Sequence, residues 1–178
     1  MFKCIGLNGI ARCVSFINQD KHLLVTSQHG EIMVIDVKTG SSVLHEYCTG
    51  DKEEGEDNII YCARGLKTVG DGLMFMTTHQ DCVSRSWEFD PSSSSIRMLD
   101  VFPGHTNTVR YLQYSPSEQR FCTTCEDHSA RIWDMDSKKG EYLLCGHTDF
   151  WTGSAFFNER TVITVSWDQS IKFWNLPN

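Results

Sequence analysis

Residues 127 to 134 read DHSARIWD, and blocks of closely related sequence occur at three other places in the chain. The other copies are HGEIMVID from His29, DCVSRSWE from Asp81 and DQSIKFWN from Asp168. Successive copies begin 52, 46 and 41 residues apart. At such periods, internal similarity is typical of solenoids, propellers and arrays. The block therefore predicts a repeat protein with four units.

A Gly-His pair marks the later repeats at a nearly constant distance from the block. His105 lies 22 residues before Asp127, and His147 lies 21 residues before Asp168. A Gly-His pair followed about 27 residues later by Trp-Asp resembles the WD-repeat β-propeller family, whose repeats have about 40–45 residues and four strands. The resemblance spans nearly the whole chain, although the first copy has neither the His nor the Trp. It implies an all-β propeller of four WD-type blades.

The copies also divide into strands separated by turn residues. In the third copy, the alternating segment 109–114 ends at Ser115-Pro116-Ser117, which is a turn signal. We expect a single module over residues 1–178, and no helix. Its blades are expected at about residues 7–48, 59–102, 105–145 and 147–178, with a spare strand at residues 1–6.

The spare strand suits the vacancy in the last blade, and such pairing resembles the family's usual way of closing its ring. The strand would complete the last blade of its own chain or of another chain. Pairing of this kind also removes exposed sheet edges. Three arrangements stay open: a closed four-blade ring, two chains joined head to tail, or part of a larger ring shared with other blades.

Composition narrows the function classes. The 178 residues are 40% apolar and carry a net charge of −7, so we expect no direct nucleic-acid binding and no attraction to anionic membranes. No stretch approaches the ~20 apolar residues of a membrane span. The eight cysteines lie at irregular spacing inside apolar strand patterns. They indicate reduced thiols in the cytoplasm or nucleus rather than in a secreted protein.

A hydroxyl, an imidazole and a carboxylate recur at fixed relative positions and imitate a catalytic triad. An active site need occur only once, however, and the recurring set includes an indole N–H, which suits a buried hydrogen-bond chain. In the family that the chain resembles, these residues tie a turn to two strands of one blade. We therefore expect a structural network, no enzyme activity and no cofactor. Its members are His105, Thr123, Asp127 and Trp133; His147, Thr164, Asp168 and Trp174; and Thr77, Asp81 and Trp87.

Cys122, Cys125 and His128 have the local appearance of a zinc site. Residues three apart on a strand point to opposite faces, so the two thiols should diverge. No second Cys/His pair with ligand spacing completes the set. We predict that the chain has no metal site.

Positions equivalent to Arg110 provide the first candidate binding surface. They carry Arg12, Arg64 and Arg110 in the first three copies and Thr152 in the fourth. The resemblance places them near the top rim of the propeller channel, where peptide partners commonly dock. Three guanidinium groups there would suit an acidic or phosphorylated peptide. The alternative is that each arginine pairs with a neighbouring acidic side chain such as Glu126.

An aromatic surface in the fourth copy is the second candidate. Phe150 and Trp167 lie beside the Asp168 turn, and the positions equivalent to Trp167 in copies two and three hold Gln80 and Glu126. Interface hot spots favour Trp, Tyr and Arg. We assign these four positions to the same partner-binding surface.

The resulting prediction is a non-catalytic scaffold that binds peptide segments of partner proteins. The alternatives are a structural subunit of a larger assembly and a propeller enzyme acting at the channel mouth. A homodimer or shared ring stays open. The acidic segment 49–58 and the serine-rich segment 90–95 are interpreted as surface loops, with docking or phosphorylation as the alternative.

Overall fold

The structure is a computed structural model that describes residues 6–48, 59–66, 73–117 and 119–177. These residues form fifteen β-strands, and none of them lies in an α-helix. No helix within the described ranges is therefore long and apolar enough to cross a membrane. The chain divides into two compact units, Met1–His79 with Arg85–Val101 and Gln80–Ser84 with Phe102–Asn178.

The first unit holds most of two antiparallel sheets, which we call blades 1 and 2. In each sheet the strands are neighbours in chain order. Blade 1 consists of β1 (Ala11–Ile17), β2 (His22–Ser27), β3 (Glu31–Asp36) and β4 (Ser42–Tyr47). Blade 2 consists of β5 (Ile60–Gly65), β6 (Leu73–His79), β7 (Ser84–Asp90) and β8 (Ser95–Phe102).

The second unit holds blades 3 and 4 with the same up-and-down order. Blade 3 consists of β9 (Val109–Tyr114), β10 (Arg120–Cys125), β11 (Ser129–Asp134) and β12 (Gly140–Cys145). Blade 4 has three described strands, β13 (Trp151–Asn158), β14 (Thr161–Ser166) and β15 (Ile171–Asn175). The predicted fourth strand at residues 1–6 falls almost wholly outside the described residues.

The turn between the second and third strands explains why the repeated block starts each copy. The residue that follows the first block position has a left-handed backbone in all four blades: φ is 72° at Gly30, 71° at Cys82, 62° at His128 and 65° at Gln169. Tight hairpins need positive φ because their twist then matches that of the paired strands. The block therefore marks one turn, repeated four times.

Each unit has an apolar core between the inner strands of its two sheets. In the first unit, Leu24, Ile32 and Val34 of blade 1 are buried in a cluster with Ile60 and Phe75 of blade 2. In the second unit, Ala130 and Ile132 of blade 3 share a cluster with Trp151, Val162 and Leu176 of blade 4. The prediction of an all-β chain built from four propeller-type blades is confirmed. The single module over residues 1–178 stays a prediction.

Candidate functional site

Blade 3 carries a continuous chain of polar contacts beneath its turn. The Trp133 indole N–H donates to Thr123 Oγ1 at 2.8 Å. Thr123 Oγ1 lies 2.8 Å from His105 Nε2, and His105 Nδ1 lies 2.8 Å from Asp127 Oδ2. Because a carboxylate only accepts, the ring proton belongs on Nδ1, and Nε2 accepts from the threonine hydroxyl. Every member then has a partner.

Asp127 anchors this chain to the turn. It also accepts hydrogen bonds from the Thr106 backbone N–H at 3.0 Å and from the N–H and hydroxyl of Ser129 at 3.1 and 2.6 Å. Burial alone would raise the pKa of Asp127, but the bonds from His105, Ser129 and Thr106 hold it well below its usual range. The carboxylate is therefore ionised at neutral pH.

Blade 4 repeats the arrangement with its own residues. Trp174 Nε1 donates to Thr164 Oγ1 at 2.8 Å, His147 Nε2 lies 2.9 Å from the same oxygen, and His147 Nδ1 lies 2.7 Å from Asp168 Oδ2. Burial would raise the pKa of Asp168, yet the hydrogen bonds from Ser170, Thr148 and His147 lower it. The structure thus brings together both complete four-residue sets that the sequence singled out.

Blade 2 uses a different histidine. Trp87 Nε1 donates to Thr77 Oγ1 at 2.8 Å, and the same oxygen lies 2.7 Å from Nε2 of the buried His79. His79 is not among the residues that the sequence pattern assigned to the network of this blade. The missed signal is that residues i and i+2 of a strand share a face, so Thr77 and His79 had to be neighbours. Asp81 lies in the turn between β6 and β7.

Blade 1 lacks the four-residue set and has a buried carboxylate instead. Glu31 accepts from the Ser27 hydroxyl at 2.5 Å and from the Asn8 backbone N–H at 3.0 Å, and its Oε1 lies 3.0 Å from His45 Nε2. Burial opposes these bonds, but the net effect lowers the pKa of Glu31. Since β3 pairs Met33 with His45, Glu31 and His45 are diagonal neighbours across two strands. Single-strand periodicity does not reveal such a pair.

The burial of these networks favours a structural role. Thr123 and Thr164 are fully buried, and each hydroxyl already contacts an indole and an imidazole. A nucleophile needs access to its substrate and a base that is free to take its proton. The imidazole Nε2 atoms of His105 and His147 do accept from these two hydroxyls, but the hydroxyls are buried and have no access to a substrate.

Three potential metal donors of the second unit, on His105, Cys125 and Asp127, lie within 4.8 Å of one another. Each already has another role: Cys125 Sγ donates to the Asn107 carbonyl at 3.1 Å and accepts from the Asp127 N–H at 3.3 Å. Burial raises the pKa of the Cys125 thiol strongly and that of the Cys122 thiol to about 12. Protonated thiols are poor metal ligands, so the donor set does not fit a metal ion well.

The arginine positions have partners within their own units. Arg110 forms an ion pair with Glu126, with Nε donating to Oε1 at 2.6 Å. Arg64 donates through Nη1 to the Ala63 carbonyl at 3.0 Å and to Cys13 Sγ at 3.3 Å. Arg12 is exposed, and its guanidinium carbon lies 5.8 Å from the centre of the Tyr61 ring. The equivalent position in blade 4, Thr152, is exposed.

The aromatic positions form a short ladder across the turns of blades 3 and 4. The His128 and Phe150 rings are stacked with centroids 5.4 Å apart, and the Phe150 and Trp167 rings lie 5.8 Å apart. Trp167 is 65% exposed. Phe150 and Trp167 were predicted to lie together, whereas His128 was not included because its contact with Phe150 joins two repeats. Gln80, in the turn after β6, is exposed, and Glu126 is half-buried beside Arg110.

Comparisons with known proteins agree with this geometry. The model of the WD domain, G-beta repeat matches residues 96–134 and 138–175. A ribosome biogenesis protein WDR12 homolog from Drosophila virilis is 27% identical over an alignment of 118 positions, which covers 57% of this chain and 28% of that protein. Protein tipD of Dictyostelium discoideum is 25% identical over 122 residues, which are 68% of this chain and 19% of that protein.

A solved structure of U3-55K superimposes with a TM-score of 0.81 at 18% identity. The match covers 97% of this chain and 51% of the other. The chain thus spans only part of every relative named above. The two matched repeats and the recurring His-Thr-Asp-Trp network make the chain similar to the WD-repeat family of β-propellers, and the likeness to U3-55K shows the same fold.

Proposed function

We propose that the chain is a non-catalytic scaffold that binds partner proteins within a multiprotein assembly. The observation that carries the proposal is the aromatic ladder of His128, Phe150 and Trp167 on the turns of blades 3 and 4. A tryptophan that is 65% exposed and supported from beneath by a second ring offers a large, rigid contact area. Such side chains commonly supply most of the binding energy of an interface.

The arginine positions define the chemistry that we propose for the bound segment. Arg12 is exposed and its guanidinium group is held near Tyr61, so it can meet a carboxylate or a phosphate. Arg110 is half-buried and already paired with Glu126, so an acidic peptide would have to compete with that carboxylate. We therefore propose that Arg12 contributes more than Arg110 to the binding of acidic or phosphorylated ligands, and that Arg64, Thr152 and Gln80 contribute less.

The relatives support an assembly role but do not point to one common process. The WDR12 homologs are ribosome biogenesis proteins by name, whereas the name of protein tipD gives no process. The two kinds of relative are about equally similar to this chain. What they share with it is a stretch of WD repeats. We propose a cytoplasmic or nuclear location, and the ribosome biogenesis relatives favour the nucleus. A structural subunit of a larger assembly is the second candidate, because blade 4 exposes apolar side chains on its sheet.

Quantitative affinity capture from cell extract tests the scaffold function. The wild-type chain is compared with Trp167→Ala and with the control Leu143→Ala, which removes a side chain that is 54% exposed on β12. We expect wild type and control to retain the same set of proteins. Trp167→Ala should bind these proteins about 30-fold more weakly, the equivalent of a 2 kcal/mol hot spot. If no retained protein depends on Trp167, the proposed surface is wrong.

Peptide arrays then test the charge preference. Arrays pair each acidic or phosphorylated peptide with its neutral counterpart and are probed with wild type and Arg12→Gln. We expect wild type to prefer the charged members and Arg12→Gln to lose about tenfold, since a charge-assisted hydrogen bond contributes about 1.5–3 kcal/mol. Equal binding to charged and neutral members would remove the acidic-ligand part of the proposal and leave the aromatic part intact.

A further inference from the structure

Blade 4 exposes an apolar sheet face that has buried counterparts in blade 1. In register, Val165, Ile171 and Phe173 of blade 4 correspond to Thr26, Ile32 and Val34 of blade 1. Phe157 lies at a bulge of β13 and follows Phe156, the counterpart of Phe16, as Ile17 follows Phe16. Thr26, Ile32, Val34 and Ile17 of blade 1 are 0%, 0%, 0% and 3% exposed, whereas Val165, Ile171, Phe173 and Phe157 of blade 4 are 37%, 64%, 69% and 73% exposed. We call these four side chains of blade 4 its trailing face.

The second unit shows what packs against a trailing face. In blade 3 the positions equivalent to Ile171 and Phe173 are Ala130 and Ile132, and both are fully buried. They share a core cluster with the opposite side of blade 4, to which Val162, Leu176 and the half-buried Phe156 belong. The side of blade 4 that carries Phe156, Val162 and Leu176 is its leading face. The trailing face of blade 3 is thus covered by the leading face of blade 4.

Blade 1 offers a leading face of the same kind. The positions equivalent to Phe156, Val162, Trp174 and Leu176 are Phe16, Leu23, Ile35 and Val37, and all four are apolar. Phe16 is 56% exposed, whereas its counterpart Phe156 is half-buried, and Val37 is 39% exposed, whereas its counterpart Leu176 is 5% exposed. No charged side chain stands at any of the eight positions. Exposed apolar surfaces of this kind mark interaction sites.

We propose that the trailing face of blade 4 docks onto the leading face of blade 1 in a second copy of this chain. The contact repeats, between two molecules, the packing that blade 4 makes on blade 3. It is heterologous, because one copy contributes blade 4 and the other contributes blade 1. The proposal does not depend on the aromatic ladder, which lies on the turns rather than on the sheet face.

Light scattering coupled to size exclusion, over a wide range of protein concentration, tests the contact. Wild type is compared with Phe173→Asp on the trailing face, Phe16→Asp on the leading face and the control Leu143→Asp on the exposed side of β12. All three substituted side chains are more than half exposed, so the variants should fold, and circular dichroism checks this. We expect wild type and the control to self-associate and both face variants to weaken association by about 30-fold or more.

Mixing provides the second measurement. Each face variant keeps one intact face, so an equimolar mixture of Phe173→Asp and Phe16→Asp should form a heterodimer that neither variant forms alone. A wild-type chain that stays monomeric would overturn the proposal, as would association insensitive to Phe173→Asp. If Phe173→Asp loses self-association and Phe16→Asp does not, blade 4 pairs with blade 4 of the other copy, and this result also overturns the proposal. Failure here would leave the scaffold function untouched, because that function is read out through Trp167.

Discussion

Replacing Asp127 with alanine should destabilise the second unit rather than impair a reaction. The carboxylate accepts hydrogen bonds from His105, Thr106 and Ser129, and it holds the turn between β10 and β11 to the loop that precedes β9. The His105 side chain is 1% exposed, so the substitution leaves a buried Nδ1–H without its acceptor.

The magnitude follows from the bonds that are lost. A hydrogen bond to a charged group contributes about 1.5–3 kcal/mol, and a buried donor left without a partner costs about 1–3 kcal/mol. Thr106 is exposed and regains water, which offsets part of the loss. We expect Asp127→Ala to lower the free energy of unfolding by about 3–4 kcal/mol, a large fraction of the ~5–15 kcal/mol typical of a folded protein. Asp127→Asn keeps the shape and one oxygen, so it should lose less.

The effect should also depend on pH, with a sign set by the lowered pKa. Hydrogen bonds hold the pKa of Asp127 in the folded protein below its unfolded value of about 4. The stabilisation is therefore fully present above that value and is lost as the pH falls towards the folded-state pKa. The difference in the free energy of unfolding between wild type and Asp127→Ala should become smaller as the pH is lowered from 5 to about 3. Asp168 is present in both proteins, so its contribution cancels.

Urea unfolding followed by tryptophan fluorescence measures this loss. The matched control is Asp136→Ala, which removes an exposed carboxylate two residues after β11 ends and should stay within about 0.5 kcal/mol of wild type. With a slope of about 2 kcal/mol/M, Asp127→Ala should lower the urea midpoint by roughly 1.5–2 M. If Asp127→Ala unfolds at the same midpoint as Asp136→Ala, the carboxylate does not hold the network and the reasoning is refuted.

Two further predictions concern the first unit. Because His79 contacts Thr77 in place of the missing Gly-His histidine, His79→Leu should lower the free energy of unfolding by about 1–3 kcal/mol, and an unchanged melting temperature would contradict this role. The Cys62 hydrogen bond, with help from Ala63 and Arg64 and against the effect of burial, lowers the pKa of Cys13 to about 5. Iodoacetamide should therefore alkylate Cys13 at pH 6, and the Arg64→Gln variant should react only at higher pH. Mass spectrometry identifies the alkylated cysteine. An identical pH profile in the variant would show that Arg64 has no influence on the pKa of Cys13.

Much of the fold and of the networks was predictable because each depends on residue identity at fixed offsets. The block from Asp127 encodes a strand after a tight turn, and strand alternation decides which side chains share a face. The fixed distance from His105 to Asp127 and Trp133 was enough to group these residues before any contact was known.

Contacts between different strands and different repeats were not predictable in this way. The pairing of Glu31 with His45 depends on the register of β3 and β4, and the stacking of His128 on Phe150 joins two repeats. The sequence left two options for Arg110, contact with a bound partner peptide or an ion pair with Glu126, and the structure shows the ion pair.

The sequence by itself therefore determined the repeat, the strand order within each blade and the members of two hydrogen-bond networks. These follow from periodicity, which is a local property of the chain. Only the tertiary structure decided that His79 substitutes for the absent histidine, that the aromatic ladder spans two blades and that Phe173 is exposed where Ile132 is buried. Burial depends on which surfaces meet across the fold, and an apolar residue in a strand has the same pattern whether or not a partner covers it.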